Sequence, residues 1–596
     1  MIRPGILARA DIGRTREVMR VTLGEGKADL AIVNATILNV YTGELLNGHS
    51  VSIKGEWIAY VGDRPEHTIG PRTQVINASG RTLIPGLIDG HTHLADGFLV
   101  IDEFLKYAMR GGTTTIVTET IEPFPVAGYE GVTDFLDSLR NQPIKIFATA
   151  PPLVSISKKT LGIPKGTLKK LLSRDDVVGL GESYWQGVLQ EPERFLPMFY
   201  ETVRRGKRLE GHSAGAKGKK LMAYLVPGIS SCHEPINAQE VLERLRLGVH
   251  VMIREGSIRS DLAAISKVKD AGVDLRRLML VSDGVKPGDL LQKGYMEWVV
   301  QRAIDCGFDP VRAIQMASIN VAEYFSLDGI IGGIAPGRYA DLLIVPDPKS
   351  IKAEYVISNG KIIAEDGTLL VSPRKHTFSA KSRESINLPR ALEPADFSLP
   401  VVKGTSHVNV RVIDQVTALV TKQVIMSMPV VGGQMKPEAG KDILRVAAVD
   451  RRYVPGKTFV GLIRGFGLRT GAIASSSAWD TSDIIVVGEN EGDMAGAVNR
   501  IRDLGGGVVV FAKGAVLAEI PLPIFGIMAD APIHALAQEV EEIRKKMSEL
   551  GFPFDDPILT LMTLTTAAIP FLRICEQGLV DLKDGKTVGL IAEEKA

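Results

Sequence analysis

Residues 83–93 read LIPGLIDGHTH, an apolar run that breaks off on two histidines. The same style returns in GTTTIVTE (112–119), IKIFATA (144–150), VVGLGE (177–182), RLEGHSA (208–214), GISSCHE (228–234), HVMIREG (250–256) and LMLVSDG (278–284). A short, nearly continuous apolar run is the signature of a strand buried on both faces of a parallel sheet. Amphipathic stretches at 99–110, 130–140, 193–206, 238–246 and 260–271 lie between the runs and predict helices. Eight strand–helix alternations within 83–327 predict an α/β fold, a (β/α)8 TIM-like barrel. Such a barrel presents its functional residues where the strands end.

Outward from the barrel, residues 29–80 alternate apolar and polar in DLAIVNATILNV, SVSIKGEWIAYVGD and TQVINASG, and 340–378 repeat the style in ADLLIVPD and AEYVISNGKIIAEDGTLL. These pieces predict a composite β-sandwich, residues 1–82 with an N-terminal arm and residues 328–380, flanking a barrel at 83–327. Residues 381–405, with prolines and mixed charge, read as a linker, and 406–596 as a further C-terminal α+β domain, β-rich at first and helical at 530–550. In the arm, the arginine spacing fits a solvated helix with Ile6, Leu7, Met19 and Val21 on its apolar face.

The balance of 70 Lys plus Arg against 69 Asp plus Glu, net +1, gives no pull toward nucleic acid or an acidic membrane. Apolar residues at 45% and charged ones at 23% exclude a disordered, collagen-like or coiled-coil chain. Three cysteines, Cys232, Cys306 and Cys575, form no disulfide framework and read as reduced thiols in a cytoplasmic protein. No apolar run is long enough to span a bilayer, and no secretory h-region opens the chain. Gly505–Gly507 lacks the spacing of a phosphate loop and reads as a turn. The Pro-Cys-x-x-Cys signature of zinc nucleobase deaminases is absent.

The chemistry gathers at the strand ends. His91 and His93 stand at i and i+2, so both imidazoles point the same way. Glu182, His212, His233 and Asp283 end runs four, five, six and eight, at sequence gaps of 89, 30, 21 and 50 residues from His93 onward. Divided by the strands crossed, these are about 20 to 30 residues each, one strand and one helix. Four imidazoles and two carboxylates around one axis suit Zn, Mn or Fe, and Glu182 has two oxygens with which to bridge two ions. Such an ion makes hydroxide available near neutral pH, and Asp283 is placed to carry protons. His49, His67, His376, His407 and His534 fall outside this pattern and read as surface or capping residues.

PGLIDGHTH, the strand-ending Glu182, the two later histidines, Asp283 and GGIAPGRYADLLIV (332–345) resemble the amidohydrolase superfamily. More narrowly, GHSAG, GISSCHE and LRLGVHVMIREGS in the barrel, with GFGLRTGAIASS, IIVVG, DMAGAVN and IPLPIFGIM beyond residue 460, resemble its adenine deaminases over about residues 20–585. The resemblance implies hydrolytic deamination of adenine to hypoxanthine and ammonia in purine metabolism. It implies a binuclear site on His91, His93, Glu182, His212, His233 and Asp283 holding Mn2+, with Fe2+ or Zn2+ as alternatives. It also implies a homo-oligomer, a homodimer first.

Two stretches depart from the family. Where relatives carry Asp-Pro-His-Glu, this chain has Glu119, Thr120, Ile121 and Glu122, and where they carry His-Asp-x-His-Asn it has Trp479, Asp480, Thr481, Ser482 and Asp483. Glu119 and Glu122 are candidate catalytic residues, binding ring nitrogens or giving a proton; the other reading is solvated loop carboxylates. Arg254 with Glu255 is an ion pair or a substrate contact, and Trp479 a packing residue or a stacking surface. Ser213 and Cys232 read as packing neighbours. The altered pocket leaves open a hydrolase of another aminopurine or cyclic amide, or a weakly active paralogue with a binding role.

Overall fold

In the computed structural model, residues 12–152, 155–159, 162–401, 406–569 and 571–592 are described. All eight expected runs are strands: β1 Leu87–Thr92, β2 Thr113–Thr118, β3 Lys145–Ala150, β4 Val177–Tyr184, β5 Arg208–His212, β6 Ser231–Cys232, β7 His250–Arg254 and β8 Leu278–Val281. β1 to β5 pair in parallel in that order, and so do β6 to β8. Ser230 N donates to Leu209 O at 3.1 Å and joins the two groups, while Asp283 N donates to His91 O at 3.1 Å and closes the ring. Every residue of β1, β2, β4 and β8 is buried, which is why these strands read as apolar runs and not as alternations.

The helices fall where periodicity put them, at Ile101–Gly111, Pro123–Leu139, Pro192–Val203 and Ala238–Arg246. Pro123 at the first helical position starts the second of these earlier than expected, and Gly128 kinks it. The stretch 260–271 is not one helix. A single turn, Leu262–Ile265, gives way to the 3₁₀ segment Ser266–Asp270, where the Ser266 hydroxyl bonds back to Ala263 O at 2.9 Å and competes with the helical ladder.

The two flanking β pieces form one nine-stranded sheet. Its seam is the antiparallel pair of Thr82–Pro85 with Leu342–Val345, Leu83 opposite Ile344, so the chain enters and leaves the barrel through neighbouring strands. Leu30, Ile32, Val51, Ile53, Leu342 and Ile357 fill its core. In the preceding helix, Ile12–Thr22, the buried face is Val18 and Val21. Met19 is 58% exposed, contrary to the expected face, and Ile6 and Leu7 lie outside the described residues.

The C-terminal part is a second nine-stranded sheet with the helices Glu491–Leu504 and Ile533–Glu549 and a small sheet from Leu572–Cys575, Gly578–Asp581 and Lys586–Val588. Gly505 at φ +72° caps the first helix, the turn the sequence indicated. The stretch before it is packed, not loose: Leu388, Leu392 and Phe397 share a core with Met494, Val498 and Ile501. No helix among the described residues is long and apolar enough to cross a membrane.

Candidate metal centre and cavity

The β1 twist carries Asp89, His91 and His93 to the barrel interior, and the end of each following strand adds a donor. His93 Nε2 is 3.3 Å from Glu182 Oε1 and 3.7 Å from Asp283 Oδ1. His212 Nδ1 lies 2.6 Å and His233 Nε2 3.1 Å from Glu182 Oε2. His91 Nε2 lies 3.4 Å from Asp283 Oδ1. His91 and His233 stack at 4.2 Å. All six residues predicted from the strand ends are therefore brought together, each no more than 8% exposed.

Three overlapping groups, His91–His93–Glu182, Glu182–His212–His233 and His91–His233–Asp283, have donor atoms all within 4.8 Å of one another. Glu182 belongs to two of them. His91 Nε2 and His212 Nε2 are buried without a hydrogen-bond partner. Buried polar atoms are normally satisfied, so donors left open toward a common centre fit a divalent cation. Burial alone would lift Asp283, but the His91 ring 3.4 Å away and the Arg254 guanidinium outweigh it and hold the carboxyl below its ordinary range. Glu182 is likewise held low against burial by the charges of His212 and His233.

The neighbours sort the remaining candidates. Glu122 Oε1 meets His93 Nδ1 at 2.5 Å, its Oε2 is buried and unpartnered, and the side chain lines a cavity of about 500 Å3. Glu119 does not line that cavity. It is 1% exposed and stands behind His91, accepting from Thr149 Oγ1 at 2.7 Å and from Glu182 N at 3.3 Å. Glu119 is therefore neither a solvated loop carboxylate nor a substrate contact. Burial, with Glu210 and Glu182 close by, raises its carboxyl. A Cβ at Gly181 would sit 2.0 Å from Glu119 Oε2, so that glycine makes room for it.

Arg254 and Glu255 do not pair. Arg254 reaches Glu234 at 2.5 Å, Asp261 at 3.1 Å and Asp283 at 3.3 Å, whereas Glu255 turns to Ser260 Oγ and Leu262 N. Ser213 Oγ and Cys232 Sγ contact each other at 2.8 Å, with Arg244 donating to Ser213, as packing neighbours do. Trp479 and Asp480 line the cavity; Ser482 instead bonds Asp450 at 3.1 Å, away from it. His376 bonds Asp134 at 2.8 Å on the surface side.

Three functional neighbours escaped the strand-end reading. Glu210 Oε2 lies 3.2 Å from His91 Nδ1 and orients that ring. It stands two residues before His212 on β5, so the i, i+2 rule used for His91 and His93 would have found it. Asp89 obeys the same rule and accepts from Tyr295 at 2.6 Å. Glu234, 3.3 Å from His233 Nε2, follows its histidine in a loop, where no periodicity marks it.

Residues 82–363 match the amidohydrolase family and residues 418–586 the adenine deaminase C-terminal domain. Fold and site together define an amidohydrolase with a divalent-metal type of centre. Over 97% of its length the chain is 38% identical to an adenine deaminase of Moorella thermoacetica, covering 98% of that protein. It is 37% identical to one of Cenarchaeum symbiosum, over 96% of this chain and 94% of the relative, and 32% identical to one of Clostridium botulinum, over 97% and 98%. The chain belongs to the adenine deaminase family.

Proposed function

We propose that the protein hydrolyses adenine to hypoxanthine and ammonia, in purine salvage or catabolism, at the cavity above β1, β4, β5, β6 and β8. The observation that carries this is the joint one: a six-residue imidazole and carboxylate cluster opening into an apolar-walled cavity, on a chain with adenine deaminase relatives along nearly its whole length. His91, His93, Glu182, His212, His233 and Asp283 would hold the metal. Glu182, common to two donor groups, supports two ions, Mn2+ first with Fe2+ or Zn2+ as alternatives. Bound cations would supply Lewis acidity and a water ionised near neutral pH.

The chain's own groups do the rest. Asp283, kept as a carboxylate by Arg254, accepts the proton of the water that adds to C6 and returns it to the departing amine. The C6–O bond forms, the C6–N bond breaks, and ammonia leaves with the transferred proton. Glu122 lines the cavity beside His93 and is placed to bond the ring nitrogen N1, which takes up the water's second proton as the C6 carbonyl of hypoxanthine forms. Ile121, Ile527 and Ile569 keep bulk water from the ring.

The test is manganese-loaded protein mixed with adenine, following the absorbance change to hypoxanthine beside ammonia release. Turnover is expected. No turnover of adenine, with ammonia from another aminopurine or ring opening of a lactam, would overturn the proposal in favour of the altered-pocket reading that residues 479–483 invite.

A further inference from the structure

The barrel does not wall the cavity alone: Leu419, Val420, Trp479, Asp480 and Ile569 reach it from the C-terminal domain. Trp479 is pinned at three points. Its N–H donates to Met562 O at 3.2 Å, its carbonyl accepts from Thr565 Oγ1 at 2.7 Å, and its indole Nε1 donates to Asp96 Oδ1 at 2.9 Å. The third bond crosses to the barrel and fixes the rotation of the ring.

Asp480 follows at φ +65°, in the left-handed region that a non-glycine residue occupies only when its surroundings demand it. Its carboxylate accepts from Tyr184 OH at 3.1 Å, Thr566 Oγ1 at 2.5 Å and Ala567 N at 3.3 Å. Tyr184 in turn stands edge-on to His212 at 4.8 Å. One aromatic ring thus separates the Asp480 carboxylate from the histidine cluster. Burial still outweighs the Thr566 and Tyr184 hydrogen bonds, with the Glu182 charge adding, and the carboxyl is pushed up to about 7. A carboxylate offers about four lone-pair sites, and these three donors leave one on Oδ1 for an N–H that a ligand brings to the cavity Asp480 lines.

Adenine is complementary to this arrangement. It is a planar bicycle with the reacting C6 on one ring and the N9–H at the far end of the other. We propose that Trp479 and Asp480 are the base-recognition subsite: the indole stacks on the purine plane and the Asp480 carboxylate accepts the N9–H, so the site takes free bases and rejects N9-substituted ones. The inference rests on the deamination reading and deepens it. A methyl or sugar at N9 would place carbon against the carboxylate and forfeit that hydrogen bond, the kind of mismatch that discriminates between analogues. Stacking is indifferent to ring substituents, so Trp479 supplies affinity and Asp480 supplies selection.

The experiment compares adenine with 9-methyladenine on the metal-loaded full chain, as wild type, Asp480→Asn, Trp479→Phe and Trp479→Leu. Steady-state kinetics and quenching of tryptophan fluorescence by each base are measured in parallel. The expected wild-type kcat/KM is at least about 100-fold lower for 9-methyladenine. Asp480→Asn should raise KM for adenine roughly 10- to 100-fold with kcat little changed, and should narrow the preference. Trp479→Leu should weaken adenine binding on the order of tenfold, and Trp479→Phe much less. Wild-type protein that handles 9-methyladenine as well as adenine, or Asp480→Asn with wild-type KM, would overturn the proposal. Should Asp480→Asn not fold, the wild-type comparison of the two bases decides alone. If adenine binds but is not turned over, the deamination reading falls, and the quenching preference between the two bases still decides this one.

Discussion

Arg254 is the charge on which the carboxylate side of the centre depends. It is 4% exposed and contacts Glu234, Asp261 and Asp283 at 2.5, 3.1 and 3.3 Å. Arg254→Met keeps much of its length and removes its charge, leaving the buried Asp261 and Asp283 and the partly buried Glu234 without their common partner. Removing one partner of a buried pair costs about 3–5 kcal/mol. The three contacts share one guanidinium and do not add, so the same range is expected for the variant. In a cooperative unit the size of the barrel that is a Tm lower by roughly 6–20 °C. The assay is thermal unfolding in the presence of a chelator, so that a cation does not replace the lost charge. The pH dependence has a definite sign. Glu234 and Asp283 are held below their ordinary values of 4.5 and 3.8 in the folded protein, despite burial, with Arg254 among the causes. Their stabilisation is therefore complete above about pH 5 and fades as pH falls toward the folded values. Without Arg254, burial pushes both carboxyls upward, so the gap between wild type and variant is full at pH 7.5 and narrows below pH 5. A loss under about 1 kcal/mol at pH 7.5 would refute the reasoning, since it is far short of a broken buried pair. So would a gap that does not narrow in acid.

Three shorter predictions accompany it. Asp283→Asn should lower turnover at least about 100-fold while elemental analysis shows the metal retained by the other five donors; an active variant would contradict the proton-carrying role. The purified protein should hold at least one transition metal per chain and lose activity on chelation, and activity after complete metal removal would exclude the centre. Glu210→Gln should weaken metal binding about 10- to 100-fold in competition with a chelator, because His91 loses the partner that orients it; unchanged affinity would mean that the 3.2 Å contact does not position the ring.

What the sequence made legible follows one physical line. A parallel strand buried on both faces must be apolar until it emerges, so the polar residues around its end stand out, and every predicted ligand lies within two residues of a strand end. The rule failed where its premise did. Glu119 follows the last residue of β2 yet turns inward, because the glycine at 181 opens space for it inside the barrel. Glu210 was hidden by standing within its run, not at its end. Glu234 and Asp480 belong to loops, where position comes from tertiary contact, and in the case of Asp480 from a different domain. The stretch 260–271 has helical periodicity, but periodicity does not register a serine that bonds its own backbone.

The seam between Thr82–Pro85 and Leu342–Val345 bears on how the chain is made. Synthesis runs from the N-terminus, so the first half of that sheet emerges long before its partner strand exists. Until residue 345 has left the ribosome, Thr82–Pro85 keeps one edge unpaired, an open template for another chain. The barrel emerges meanwhile, and by bringing its own two ends together it delivers the missing strand to that edge. A barrel slow to close prolongs the exposure, so a substitution deep in β1 or β8 would surface as misassembly of the neighbouring sheet.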